Sequence, residues 1–321
     1  MVGKSIRRSV IPVGNFLLLV WMVSVAVFLL LEMIPGDPVD SLVPPGATDE
    51  MRELARESYG LADPVVQRYF SWIGGVLQGD FGRSFTTQTP VLTSIAERAP
   101  VSLELAILSM VVALAVSLPV GVWSAYRPGG RIDKVATALT SATLAVPSFV
   151  LGILLVFMFG VQLGMLPTLG WVEFSEDPVE HLRYIVLPVL TLAAGECVLF
   201  TRLLKGDMMA TLQQDHVLST RARGLPTWRI LVRHALRQSS FSLVTVSGVV
   251  IGRLIGGTVI VELIFSLPGM GNLVVNSILS RDFIVVQAVV LLSALLYLLI
   301  NTVVDLAYPW LDPRVRKVSA T

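Results

Sequence analysis

Glu196, Arg253 and Glu262 are ionisable residues that stand inside runs of largely apolar sequence. A charge in hydrocarbon is costly, so such residues pair, face a wet cavity or lie near an interface, and they mark the paths of solutes and ions. The chemistry they offer is binding and passage. On one helix the nine positions between Arg253 and Glu262 put them on opposite faces, roughly 13 to 14 Å apart along the axis, too far for a direct pair. Arg253 lies about 18 Å from the start of its apolar run at residue 241, and Glu196 about 18 Å from the start of its own at 184; in antiparallel neighbours and a core about 30 Å thick, both fall near mid-membrane. The sequence therefore predicts an Arg253–Glu196 contact, or a wet cavity shared by both where Arg253 could meet a solute carboxylate. Glu196, Arg253 and Glu262 together are the candidates for a translocation path.

The chemistry of an enzyme is missing. His181, His216 and His234 are scattered, no His-Glu-x-x-His occurs, and no serine sits in a Gly-x-Ser-x-Gly turn. No phosphate-binding glycine loop is present, since Gly3, Lys4 and Ser5 lack the upstream glycine, so the chain is not expected to bind ATP in that way. Cys197 is the only cysteine, which leaves no disulfide and no cysteine metal site; it reads as packing. No catalytic residue, metal site or cofactor is predicted for the chain itself.

The elements that must position those charges follow from composition. Of 321 residues 54% are hydrophobic and 15% charged, with a mean hydropathy of +0.75, outside the range of soluble domains. Apolar runs long enough to span lie near 11–33, 101–126, 137–163, 184–203, 241–265 and 284–309. Six spans put both termini on one side. Sixteen of the 24 basic residues fall in the N-terminal tail, 127–134, 202–237 and the C-terminal tail, with four acidic ones beside them, so these segments are expected in the cytoplasm. The five arginines of 221–237 are then a basic inner loop and not a nucleic-acid site. Lys4, Arg7 and Arg8 precede a run too long for a cleaved signal, which reads as a retained first span.

Residues 34–100 should fold on the outer surface. Thr48, Asp49 and Glu50 suit a helix start, Gly60 its stop, and Asp63-Pro64 the start of a second helix. Val65, Tyr69, Trp72, Ile73 and Val76 then form an amphipathic stripe suited to packing on outer span ends. The 202–240 segment reads as helix, break at Gly224-Leu225-Pro226, helix, giving a short cytoplasmic knob. Gly248, Gly252 and Gly256 share one face, which permits close helix packing within the chain or across a subunit boundary. Trp123, Tyr126, Trp171 and Phe174 near span ends read as interfacial anchors before cargo contacts.

Several stretches, taken in order, resemble the dipeptide and oligopeptide permeases of ATP-binding-cassette importers, in their first-subunit branch. They are Ile34-Pro35-Gly36-Asp37-Pro38, Gly79-Asp80-Phe81-Gly82-Arg83-Ser84, Arg98 through Ala106, Thr220-Arg221-Ala222-Arg223-Gly224-Leu225, Arg233-His234-Ala235-Leu236-Arg237, Val261-Glu262, Pro268-Gly269-Met270-Gly271 and Leu311-Asp312-Pro313-Arg314. The resemblance implies a type I importer permease fold: all-α, integral to a bacterial cytoplasmic membrane, with six transmembrane helices and an extracytoplasmic helical segment after the first. It implies four parts: a cytoplasmic tail and first span over 1–33, an outer collar over 34–100, a five-helix core over 101–310 with a coupling loop at 205–240, and a cytoplasmic tail over 311–321. Thr220 to Leu225 would couple to the ATPase through the loop known as the EAA motif, although its leading Glu-Ala pair is absent here. A paralogous second permease, two ATPase domains that bind ATP and Mg, an external solute-binding protein and membrane lipid are the implied partners, with no nucleic acid. Alternating access would move a peptide or related small solute. The alternative is a secondary transporter or channel subunit, for which inverted repeats and broken spans with paired ionisable residues are the expected signs; the sequence shows no convincing internal repeat, and that alternative gives no reason for a protruding cytoplasmic knob.

Overall fold

A computed structural model describes residues 2–33, 39, 43, 46–58 and 60–311. The Ile34-to-Pro38 motif and the Asp312-Pro313-Arg314 stretch lie outside the described residues.

The first helix, α1 (Val2–Glu32), includes the apolar stretch Phe16–Leu29. A short polar helix, α2 (Asp49–Ser58), starts where Thr48 Oγ1 accepts the Met51 amide at 3.4 Å, with Asp49 and Glu50 in its first turn. It stops at Gly60, whose φ of +65° lets the Leu61 amide reach back to the Arg56 carbonyl at 2.8 Å. Next come α3 (Val65–Leu77), entered through Pro64 with no side-chain cap from Asp63, and α4 (Val91–Tyr126). The span expected from residue 101 thus begins at Val91 and carries Pro100 in its interior.

The run at 137–163 is not one straight span. It divides into α5 (Arg131–Ala145) and α6 (Ser148–Leu155), the latter continued by a π-helical stretch Val156–Gln162, and the two arms bend by 105°. The cause is local. Pro147 disfavours helical geometry in its predecessor, and Val146 accordingly adopts φ −113°, ψ 125°. By contrast α7 (Pro178–Leu212) runs through Pro188 unbroken; Asp177 caps its start by accepting the amides of Val179 and Glu180 at 2.9 and 3.1 Å.

After Gln213 and Gln214 come α8 (Asp215–Ala222) and α9 (Thr227–Arg229). A π-helical stretch Ile230–Leu236 then carries α9 into α10 (Arg237–Gly257), forming a 31-residue rod. Three further helices complete the described chain: α11 (Val259–Ile264), α12 (Met270–Leu279) and α13 (Phe283–Leu311). The six expected spans map onto α1, α4, the α5–α6 pair, α7, the α9–α10 rod and α13. Among the described residues four of them are long and apolar enough to cross a membrane unaided, and five if the bent pair counts as one.

The chain separates into two compact units, Met1–Ser102 with Pro268–Leu299, and Leu103–Leu267 with Ile300–Thr321. In the first, Val91 and Ile95 of α4 pack on Val285, Ala288 and Val289 of α13. Tyr69 and Trp72 of α3 lie against Phe28 of α1 at ring distances of 5.5 and 5.8 Å, while Val65, at the start of the expected stripe, stays exposed. One buried carboxylate organises the loop after α3: Asp282 accepts the Ser84 hydroxyl at 2.5 Å and the Phe85 and Thr86 amides at 3.1 and 3.3 Å. Ser102 accepts the Met270 amide at 2.8 Å, so the Pro268-to-Gly271 stretch opens α12 against α4. In the second unit the core joins Ala125, Leu204 and Met208 to Leu231 and Ala235.

Candidate functional site

Two places in the second unit collect the residues that could act. The first is the turn between α8 and α9. Val217 is wholly buried and fixes α8, and Leu231 and Ala235 fix the following rod on α7. Between these anchors the chain reverses at Gly224, whose φ of +76° is the left-handed geometry that glycine takes without steric cost. Pro226 then opens α9. Arg221, Ala222, Arg223 and Gly224 are exposed, and Thr220 and Leu225 are half-buried, with the Thr220 hydroxyl donating to the His216 carbonyl at 2.7 Å. The segment has one more interruption than the sequence predicts, because α7 ends at Leu212 and leaves α8 as a separate helix.

Sequence reasoning passed over two residues here. Trp228 is 63% exposed with the Arg229 guanidinium 5.4 Å from its ring centre, and Leu218 is 46% exposed. Bulky apolar side chains displayed among arginines on a rigid turn suit a protein partner, since tryptophan and arginine dominate binding hot spots. The signal was a tryptophan two residues after the turn proline.

The second place is a cleft of about 810 Å³ whose lining includes Glu196, Arg202 and Arg253 among apolar residues such as Leu192, Leu199 and Leu254. Nη2 of Arg253 donates to both Glu196 oxygens, at 2.8 and 2.7 Å. Helices α7 and α10 thus bring together the two residues whose depths matched in the sequence. Glu196 is 10% exposed at its side chain and Arg253 60%, so the carboxylate is walled in while the guanidinium faces the open volume.

Glu262 stands apart. It lies in α11, is fully buried, accepts the Thr258 hydroxyl at 2.6 Å and is not among the cleft-lining residues. The single-helix geometry expected for Arg253 and Glu262 is not realised, because α10 ends at Gly257 and α11 is a new helix.

The three glycines of α10 meet three different surroundings. A Cβ at Gly248 would lie 2.3 Å from Val304 Cγ2, so α13 is the close neighbour there; Gly252 is buried, and Gly256 is exposed with nothing within 4 Å of its Cβ direction. Trp171 and Phe174 are not free anchors but flank buried His181, at 4.9 and 5.5 Å between ring centres. That imidazole bridges the Val172 carbonyl, at 2.8 Å from Nδ1, and Glu104, at 2.9 Å from Nε2. Trp123 and Tyr126 lie beside Arg127, whose guanidinium is 5.7 Å from each ring.

A helical membrane unit with a displayed basic turn and an ionic cleft between spans has the makings of a transport subunit, and the comparisons define its class. The family of inner membrane components of binding-protein-dependent transport systems matches residues 117–317, and the N-terminal model of such membrane components matches residues 1–106. The chain belongs to this family: it is a multi-pass inner-membrane permease subunit. Its relatives include the probable peptide ABC transporter permease protein y4tP of Sinorhizobium fredii, 35% identical over 92% of this chain and 94% of that protein. The oligopeptide transport system permease protein AppB of Bacillus subtilis is 35% identical over 98% and 99%, and the glutathione transport system permease protein GsiC of Escherichia coli 35% over 92% and 94%. An inward-facing structure of the MetNI methionine ABC transporter superposes with a TM-score of 0.57 at 17% identity, over 69% of this chain and 97% of that one. The fold is the type I importer permease fold.

Proposed function

We propose that this chain is one of two paralogous permeases in an ATP-driven importer of peptides, working by alternating access with both termini in the cytoplasm. An external binding protein delivers the solute over the 34–100 collar. Two partner ATPase subunits bind ATP and Mg and dock on the α8–α9 turn, and their closure moves α7 and the α9–α10 rod. The peptide assignment leans on relatives whose names carry it at 35% identity over more than nine-tenths of each chain. The observation that carries the coupling role is the turn itself: exposed, basic, fixed by buried Val217 on one side and buried Ile230 and Leu231 on the other.

Gly224→Val tests it. A β-branched residue at φ +76° costs about 1 to 3 kcal/mol of backbone strain and reshapes the displayed surface. In the reconstituted complex, ATP hydrolysis stimulated by the binding protein should fall at least about fivefold, while the variant still inserts. Unchanged stimulation and uptake in that variant overturn the coupling role. Solute flux by this chain alone, in vesicles without ATP, would favour a secondary transporter instead.

A further inference from the structure

The cleft between α7 and α10 has a polarity that the importer reading does not explain. Glu196 engages only Nη2 of Arg253. The guanidinium carries three more N–H donors, on Nη1 and Nε, and no other acceptor among the described residues takes one. With the side chain 60% exposed, those donors face the open volume. Arg202 lines the same cleft and has no ion-pair partner among the described residues. Two guanidinium groups against one carboxylate leave the lining with a net positive charge. Glu196 meanwhile holds the guanidinium at Nη2, so part of the side-chain entropy is already lost before a second acceptor arrives.

We propose that this cleft is a carboxylate-binding subsite on the solute path, in which Arg253, oriented by Glu196, receives a free carboxylate of the passing solute such as the C-terminus of a short peptide. The subsite rests on the importer reading. At the Arg253–Glu196 pair the location favours a solute over a lipid headgroup, because Glu196 sits near the middle of the 35-residue α7, while Arg202, six residues further along that helix, marks the cleft's end toward the bilayer surface. Charge and geometry both suit a weak site. One exposed charge-assisted contact in a wet cleft gives millimolar binding, which a solute in transit can leave.

The test uses the assembled complex in phosphatidylcholine nanodiscs, where no anionic headgroup competes. Leu199, which lines the cleft, is replaced by cysteine in a Cys197→Ala background, and its alkylation rate is followed without ATP. About 10 mM trialanine should slow the reaction about tenfold if its dissociation constant is about 1 mM, and trialaninamide, lacking the carboxylate, should not. Arg253→Met should abolish the difference. Because that variant strands a walled-in Glu196, the double variant Arg253→Met with Glu196→Gln, which leaves Arg202 as the one charged group of the lining, is measured beside it and should also show no difference. Equal effects of acid and amide, or protection that survives in the double variant, overturn the subsite. Binding-protein-stimulated ATP hydrolysis is recorded on the same samples: its presence with no acid-specific protection rejects the subsite alone, and its absence in the unsubstituted complex rejects the importer reading and the subsite with it.

Discussion

Asp282 shows how much one side chain can hold. Replacing it with alanine removes the acceptor of the buried Ser84 hydroxyl and of the Phe85 and Thr86 amides, and a buried donor such as that hydroxyl costs about 1 to 3 kcal/mol when left unsatisfied. Asp282→Ala should lower the melting temperature of the purified complex and speed amide exchange at 84–86, whereas Asp282→Asn, which keeps one acceptor oxygen, should do much less. Equal stability of all three proteins would show that the loop closes by other means. The sequence could not announce this contact, since 198 positions separate its partners and neither lies in a periodic pattern. His181 and Glu104, 77 positions apart, were hidden for the same reason. Arg253 and Glu196 were legible despite their own separation of 57, because hydrocarbon makes a lone charge conspicuous and helical rise fixes its depth.

Among the helices, prolines show where local reasoning stops. Pro147 breaks its span by 105° while Pro100 and Pro188 sit inside continuous helices. In lipid a freed carbonyl can be satisfied by neighbours, so the same residue kinks one helix and not another, and only the packed fold decides. The Gly224 turn was readable because glycine and proline act on their own backbone angles, whereas the break at Gln213 and Gln214 carries no such residue. The glycine face of α10 gives a prediction with an internal control. Gly248→Ala puts a methyl 2.3 Å from Val304 Cγ2 and should destabilise the permease by about 1 to 3 kcal/mol. Gly256→Ala meets open space within this chain and should change stability by less than about 0.5 kcal/mol. Detergent-denaturation midpoints of the two variants decide it; a large loss for Gly256→Ala would mean that a second subunit packs there.

For the molecule as a whole, orientation is the property that cysteine labelling reads directly. In a Cys197→Ala background, Thr48→Cys should react with an impermeant thiol reagent on intact cells, and Thr227→Cys only after lysis; both positions are exposed. The reverse pattern would invert the topology argued from the basic residues. A last consequence concerns time. The first unit is assembled from two stretches far apart in the chain, Met1–Ser102 and Pro268–Leu299, so the ribosome makes Ser84 long before its acceptor. With 198 residues between Ser84 and Asp282 and synthesis at about 5 to 20 residues per second, the loop waits about 10 to 40 s. The growing permease is therefore vulnerable at 84–86 throughout that interval, and quality-control proteases have a defined window. In a pulse-labelled translation, protease resistance around Ser84 should appear only after Asp282 has been added, and resistance in chains halted before Pro268 would show that the loop matures without it.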